Sequence, residues 1–191
     1  KDIGDKKFKL QKFSKSKIFE NKNLMDSNGG NFNSTISIEF DFIYRSIEPD
    51  FSFFSENISD ILIFEGSRLI ANNQLLNSFY IDDEVYGYYE DVNFGFAIDT
   101  DNDLNVYTIY NANKLDLTSL QRKIVELISN HTEKIAPKSI DVSNSTITLT
   151  DLTTSNCRNV IPLLNQRQSM ILALTKFQND SNNIFQINCT F

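Results

Sequence analysis

The chain has 191 residues, of which 40% are hydrophobic, and it carries a formal net charge of −7 with only two cysteines. A chain of this length can form one sizeable core, so we expect one domain. Two cysteines are too few for a disulfide framework, so we expect free cysteines and a place in the cytoplasm. The acidity disfavours nucleic-acid binding because a negative body repels phosphate, and no apolar run approaches the ~20 residues that cross a bilayer.

Positive charge is concentrated at the amino terminus, where residues 1–22 carry eight lysines against three acidic residues. An edge strand is predicted around Phe8, because lysines alternate there with apolar side chains. Residues 21–33 are polar, contain a Gly-Gly pair and show no periodicity, which predicts a loop. We therefore divide the chain into a basic arm with an edge strand and a loop, residues 1–32, and a main domain, residues 33–191.

Two amphipathic helices are predicted after a strand that runs from Ile36 to Phe42 with clean apolar and polar alternation. The first helix begins near Asp60 and carries an apolar stripe. That stripe consists of Ile58, Ile61, Leu62, Leu69 and Ile70. The second helix is capped by Asp116 and has a stripe of its own. That stripe consists of Leu117, Leu120, Ile124, Leu127 and Ile128.

Further strands are predicted by the two-residue period of apolar side chains. They lie at 92–98, 104–109 and 145–150, and a hairpin partner ends at Phe191. The stretch 168–174 contains a continuous apolar run, which predicts a fully buried strand. Strands that flank two helices, with mostly antiparallel alternation, predict an α+β two-layer sandwich. In this fold class a mostly antiparallel mixed sheet has helices on one face.

Common catalytic and metal-binding patterns are missing from the sequence. The single histidine, His131, falls at the end of the second apolar stripe, where a capping or half-buried imidazole is expected. One histidine without nearby cysteines or paired carboxylates argues against a metal site. The sequence has no G-x-S-x-G elbow and no phosphate-binding glycine loop.

The stretch EDVNFGFAIDT, from Glu90 to Thr100, is followed by a polar turn, an apolar strand and the pair Asn111-Ala112. This order resembles the catalytic domain of the 2-oxo acid dehydrogenase acyltransferases, which are relatives of chloramphenicol acetyltransferase. The resemblance covers about residues 33–191 and implies a chloramphenicol acetyltransferase-like fold. It also implies acyl transfer from a thioester, acyl-CoA or an acyl carrier, to a thiol, hydroxyl or amine, without a permanently bound cofactor. A homotrimer with active sites between subunits is implied as well.

The resemblance assigns roles to particular residues. Thr150 stands at the serine of the family motif T-x-S-N-L-G, whose hydroxyl steadies the oxyanion, and Asp99 matches an aspartate that could orient the catalytic centre. Asn165 and Gln168 match the Asn and Gln of I-N-P-P-Q-S, and they are taken as substrate-binding. Tyr107, in the place of a family proline, is assigned to the same group.

The family's general base is a histidine in a D-H-x-x-x-D-G motif that follows a strand like the one ending at Phe191. We therefore expect a histidine motif directly after Phe191. An alternative from a different class is a non-catalytic scaffold or interaction module, which the replaced family glycine and prolines favour. Condensation chemistry on a carrier protein is a third possibility on the same fold.

Overall fold

The computed structural model describes residues 7–27, 33–41, 58–99, 104–133, 144–155, 157–179 and 182–191. The α-helices are α1 (Lys15–Ser27), α2 (Ile58–Ala71) and α3 (Leu117–Thr132). The strands are β1 (Phe8–Lys12), β2 (Thr35–Asp41), β3 (Ser78–Tyr80), β4 (Val85–Tyr89), β5 (Phe94–Asp99), β6 (Leu104–Ile109), β7 (Ile147–Leu152), β8 (Met170–Asn179) and β9 (Asn182–Thr190). Short 3-10 turns lie at Gln74–Asn77 and Ala112–Lys114.

Two sheets organise these strands. The large sheet has the order β2-β9-β8-β7-β5-β6, and a three-stranded sheet has the order β1-β4-β3. In the large sheet β7 runs parallel to both of its neighbours, and the other pairings are antiparallel. The α+β prediction with a mostly antiparallel mixed sheet is therefore confirmed.

The core lies between one face of the large sheet and helices α2 and α3. Ile63 of α2 and Leu120 of α3 are fully buried there against Phe94, Ile147 and Leu149 of the central strands. Burying a side chain of this size contributes about 1.5–3 kcal/mol. This apolar packing fixes the helices on what we call the helix side of the sheet.

Several sequence predictions hold in detail. Strand β2 and the β8–β9 hairpin form as predicted, although β8 runs from Met170 to Asn179 and so extends beyond the predicted 168–174. The Asp116 carboxylate caps α3 by accepting the backbone N–H of Ser119 at 2.8 Å. Strand β1 is an edge strand, as predicted, but it belongs to the smaller sheet.

Other predictions were wrong. Residues 21–27 form the second half of α1 rather than a loop. This helix has no apolar stripe to reveal it, and it is supported by the Ser14 side chain, which accepts the N–H of Lys17 at 3.3 Å. The predicted stripes were also too wide, because Leu69 is 61% exposed and Ile128 is 46% exposed. Of the described helices, none is long and apolar enough to cross a membrane.

Gly95 in the middle of β5 allows an unusually close approach of two chain segments. A Cβ atom at this position would lie 2.6 Å from Ser145 Oγ and 2.8 Å from Thr148 Oγ1. It would also lie 2.9 Å from Ser145 Cβ, which cannot rotate away. The glycine of the EDVN-x-G-x-A motif is thus required by packing.

We predict that Gly95→Ala lowers the free energy of unfolding by roughly 1–3 kcal/mol, because the added methyl group overpacks the junction of β5 and β7. The matched control is Gly66→Ala in α2, where a Cβ atom meets nothing within 4 Å. This control should gain about 1 kcal/mol from helix propensity. Urea unfolding of both variants measures the two effects, and equal effects of the same sign would contradict the packing account.

Candidate functional site

The side of the large sheet opposite the helices is lined by polar residues and is nevertheless largely buried. We call it the polar face. Side chains that share this face follow from the strand register. The buried members are Thr108, Thr148, Thr175, Gln186, Asn188 and Thr190, while Thr150 is half-exposed and Ser37, on the edge strand β2, is exposed. Such a buried hydroxyl and amide surface is unusual for a sheet, since polar groups lose hydration when they are buried.

Thr150 lies in the middle of this face. It pairs with Ala97 on β5 and with Ala173 on β8, and Ala173 pairs in turn with Asn188 on β9. Both flanking alanines are buried, whereas Thr150 is half-exposed. Between these two small neighbours the Thr150 side chain remains partly accessible. Strand β9 lies two strand spacings away, about 10 Å.

A hydrogen-bonded network stands beside Thr150 on the same face. Thr148 Oγ1 donates to Gln168 Oε1 at 2.9 Å, and Asn165 Nδ2 donates to the same oxygen at 3.4 Å. Gln168 is only 4% exposed, and its carbonyl orientation is fixed by these two donors. The structure thus joins Asn165 and Gln168 to Thr148, which lies two positions before Thr150 on the same face.

The segment before β8 is held over this face at several points. Thr175 Oγ1 donates to the carbonyl of Arg158 at 3.2 Å, and Tyr89 OH donates to the carbonyl of Arg167 at 2.8 Å. Tyr89 belongs to the three-stranded sheet, where its ring stacks on Phe79 with centroids 5.0 Å apart. Burial raises the pKa of the Tyr89 phenol, so it remains a neutral donor. The small sheet therefore anchors the segment that precedes β8, which reaches the polar face at Thr175.

The helix side of the same strand carries a carboxylate cluster. The Asp151 carboxylate accepts a hydrogen bond from Ser59 Oγ of α2. Asp60, the next residue of α2, is 6% exposed, and burial raises its pKa to about 6. A hydrogen bond from Gln121 opposes this shift, and the neighbouring Asp151 adds to it.

Asp99 and Tyr107 occupy different places from Gln168 and Asn165. Asp99 is the last residue of β5, two positions beyond Ala97, and its side chain lies outside the described residues. Tyr107 pairs with Phe96 and therefore lies on the helix side, across the sheet from Thr150. It is 4% exposed, and burial raises the pKa of its phenol. The structure does not bring Tyr107 to the polar face.

Asn93 and Thr148 are important residues to which the sequence reasoning assigned no role. The Asn93 side chain accepts the N–H of Asn111 at 3.0 Å and donates to the carbonyl of Asn144 at 3.2 Å. Its own carbonyl accepts the N–H of Thr146 at 2.8 Å. The signal that could have identified it was its place in the EDVN motif.

Among the described residues, neither a surface groove nor a metal-binding cluster competes with this region. An open groove of about 530 Å³ is lined by Lys22 and residues 80–85 and contains none of the predicted site residues. In the part of the chain that the structure describes, no group of three or more His, Cys, Asp or Glu side chains is placed to hold a metal ion. The polar face around Thr150 is therefore the candidate site.

Comparison with known proteins identifies the family of the chain. The model of the 2-oxoacid dehydrogenases acyltransferase (catalytic domain) matches residues 58–185, about two thirds of the chain. The chain belongs to this acyltransferase family. None of the curated proteins matches it in sequence.

Solved structures of acyltransferases share the fold. The dihydrolipoamide acetyltransferase of Azotobacter vinelandii, in which the catalytic roles of a serine, a histidine and an asparagine were investigated, aligns with a TM-score of 0.69 at 16% identity. The cubic core of the pyruvate dehydrogenase multienzyme complex gives the same values, and in both cases 91% of this chain and 78% of the other are covered. Chloramphenicol acetyltransferase aligns with a TM-score of 0.61 at 10% identity over 98% of this chain and 88% of its own. The predicted chloramphenicol acetyltransferase-like fold is confirmed.

One loop of this acyltransferase domain departs from the family motif in its backbone. Where the motif I-N-P-P-Q has its second proline, Arg167 has a φ of 62°. Proline is locked near −65° and cannot adopt that angle. The two replaced prolines therefore reflect a different turn, and Asn165 and Gln168 still meet at its ends.

We predict that Arg167→Pro lowers the free energy of unfolding by about 3 kcal/mol or more, because the ring forbids the left-handed backbone at this position. The matched control is Gln166→Pro, which restores the other family proline at a residue whose φ is not positive. Its effect should be much smaller. Urea unfolding distinguishes the two, and equal tolerance of both prolines would contradict the assigned turn.

A second prediction concerns Asp60. Its carboxyl binds a proton more tightly in the folded chain than in the unfolded chain, so its contribution to stability is present below about pH 4 and is lost as the pH rises to about 6. Asp60→Asn removes the charge that must be buried above that window. We expect the variant to be more stable than the wild type by about 2 kcal/mol at pH 7.5, and nearly equal at pH 4.

Urea unfolding at the two pH values tests this difference. Asp116→Asn is the control, because the exposed Asp116 caps α3 and asparagine is an equally good cap. If Asp60→Asn lowers the free energy of unfolding by the same amount at both pH values, the pKa of Asp60 is not raised by burial.

Proposed function

We propose that the chain transfers an acyl group from a thioester donor, acyl-CoA or an acyl carrier, to a thiol, hydroxyl or amine acceptor at the polar face. The observation that carries this proposal is the position of Thr150. Its side chain stands where the family motif has a serine, between the buried Ala97 and Ala173, on a face whose other polar residues are mostly buried. A hydrogen-bond donor in such a place is effective because it acts in a low dielectric.

The reaction follows from this placement. A base removes the proton of the acceptor thiol, and the thiolate attacks the carbonyl carbon of the thioester. The electron pair of the C=O bond moves to oxygen, and the Thr150 hydroxyl donates a hydrogen bond to that oxyanion. Collapse of the tetrahedral intermediate re-forms the C=O bond and expels the thiolate of CoA, which takes up the proton from the base. In this proposal the base is the histidine of the family motif that follows the last strand.

Gln168 and Asn165 are assigned to substrate binding beside Thr150. The Gln168 carbonyl is already occupied by Thr148 and Asn165, which leaves its amide nitrogen as the group to meet the substrate. Asp99, at the carboxyl end of the adjacent strand, is proposed to orient the catalytic centre. Tyr107 has no such support, since it pairs with Phe96 on the helix side.

A homotrimer is part of the same proposal. The segment that precedes β8 exposes Ile161 by 67% and Leu163 by 83%. A partner that covers these two side chains would remove apolar surface from water, which is favourable. The cubic core of the pyruvate dehydrogenase complex, which shares this fold, is a multi-subunit assembly. A neighbouring copy of the chain would then cover the partly exposed Thr150 side chain.

The proposal is tested by incubating the full-length protein with acetyl-CoA and small thiols and measuring the release of free CoA. We predict release above background for the wild type and a loss of about 100-fold in kcat for Thr150→Val, which keeps the shape of the side chain but removes the donor. Thr150→Ser is the matched control and should retain most of the activity.

Two results would contradict the proposal, the first its function and the second the role of Thr150. No CoA release by the wild type with any acceptor would favour the non-catalytic scaffold, for which the altered Arg167 turn is the supporting observation. Full activity of Thr150→Val would leave the transferase function standing and remove Thr150 from its mechanism.

A further inference from the structure

Strand β7 is held differently on its two sides at the position of Thr150. Its pairing with β5 ends at the Thr150–Ala97 pair, while its pairing with β8 continues for two more residues. Thr150 is therefore the last residue of β7 with a neighbouring strand on each side. A further restraint is needed there if the hydroxyl is to keep a fixed position.

Asp151 supplies contacts at this point. One carboxylate oxygen, Oδ2, accepts a hydrogen bond from Ser59 Oγ in the first turn of α2. The other, Oδ1, accepts the N–H of Thr153 at 2.9 Å and its hydroxyl at 2.7 Å. Three donors thus converge on one half-buried carboxylate, which ties the end of β7 to a helix of the core.

The same contacts explain how the chain tolerates a lost glycine. Thr153 stands where the motif T-x-S-N-L-G ends in glycine, yet it is not among the described residues with a positive φ. The turn after β7 is therefore made without a left-handed backbone at this residue. The Asp151 carboxylate closes the turn from within by binding both the amide and the hydroxyl of Thr153.

We propose that Asp151 is a positioning residue for Thr150, because its bonds to Ser59 and Thr153 fix the strand end that carries the hydroxyl. This inference rests on the proposed acyl transfer and extends it to a residue on the opposite side of the sheet. Asp151 touches no substrate. It acts by holding the donor where the oxyanion forms, and misplacement of a catalytic group by about 1 Å can cost on the order of 100-fold in rate.

The test uses the full-length protein with acetyl-CoA and the thiol acceptor. Asp151→Ala is expected to lower kcat by at least about 10-fold, with KM for acetyl-CoA unchanged within about twofold. Asp151→Asn keeps one acceptor oxygen for Thr153 and should rescue most of the loss. Urea unfolding at the assay temperature shows whether each variant is folded, and Ser59→Ala, which removes one bond and keeps the carboxylate, replaces Asp151→Ala if that variant does not fold.

A double-mutant cycle separates positioning from general damage. If Asp151 acts through the Thr150 hydroxyl, Asp151→Ala should lower kcat no further in a Thr150→Val background. A loss of the same factor in both backgrounds, or a kcat within about twofold of wild type for Asp151→Ala, would overturn the inference while leaving the transferase function intact. An inactive wild type would overturn both.

Discussion

The position of the candidate site depends on the hydrogen bonds of one asparagine. Asn93 joins the start of β5 to the end of β6 through Asn111 and to the chain entering β7 through Asn144 and Thr146. These bonds set Phe94 opposite Ile147, and four residues of parallel pairing then set Ala97 opposite Thr150. A slip of one residue would turn Thr150 into the apolar core and Leu149 onto the polar face, because side chains alternate along a strand.

The polar face carries a stability penalty that an ordinary sheet avoids. Several of its groups are matched, as in the contact of Thr108 with Ser145 at 2.7 Å and that of Thr148 with Gln168. Within the described ranges, however, Asn188 Nδ2 and Gln186 Oε1 are buried without a hydrogen-bond partner. Burying polar groups costs free energy unless they are hydrogen-bonded, so this face adds stability only where its groups are paired.

Local structure could be predicted from the sequence, whereas contacts between residues far apart in the chain could not. Strands β2, β5 and β9 were predicted because alternation is read within a few residues, and the family was recognised from the order of short motifs. The side of the sheet that Tyr107 faces depends on its register with Phe96, which no local pattern contains. The hydrogen bond between Ser59 and Asp151 joins residues 92 positions apart, so no local sequence pattern could predict it. Helix α1 was missed because its apolar residues form no stripe.

The proposed mechanism requires that the Thr150 hydroxyl meets the carbonyl oxygen of a bound acyl donor. The most direct measurement is a crystal structure of the full-length protein with a ketone analogue of acetyl-CoA, in which a methylene group replaces the thioester sulfur. The mechanism predicts the ketone oxygen within hydrogen-bond distance of Thr150 Oγ1, on the polar face between Ala97 and Ala173. An analogue bound on the helix side of the sheet, or one whose carbonyl points away from Thr150, would contradict it.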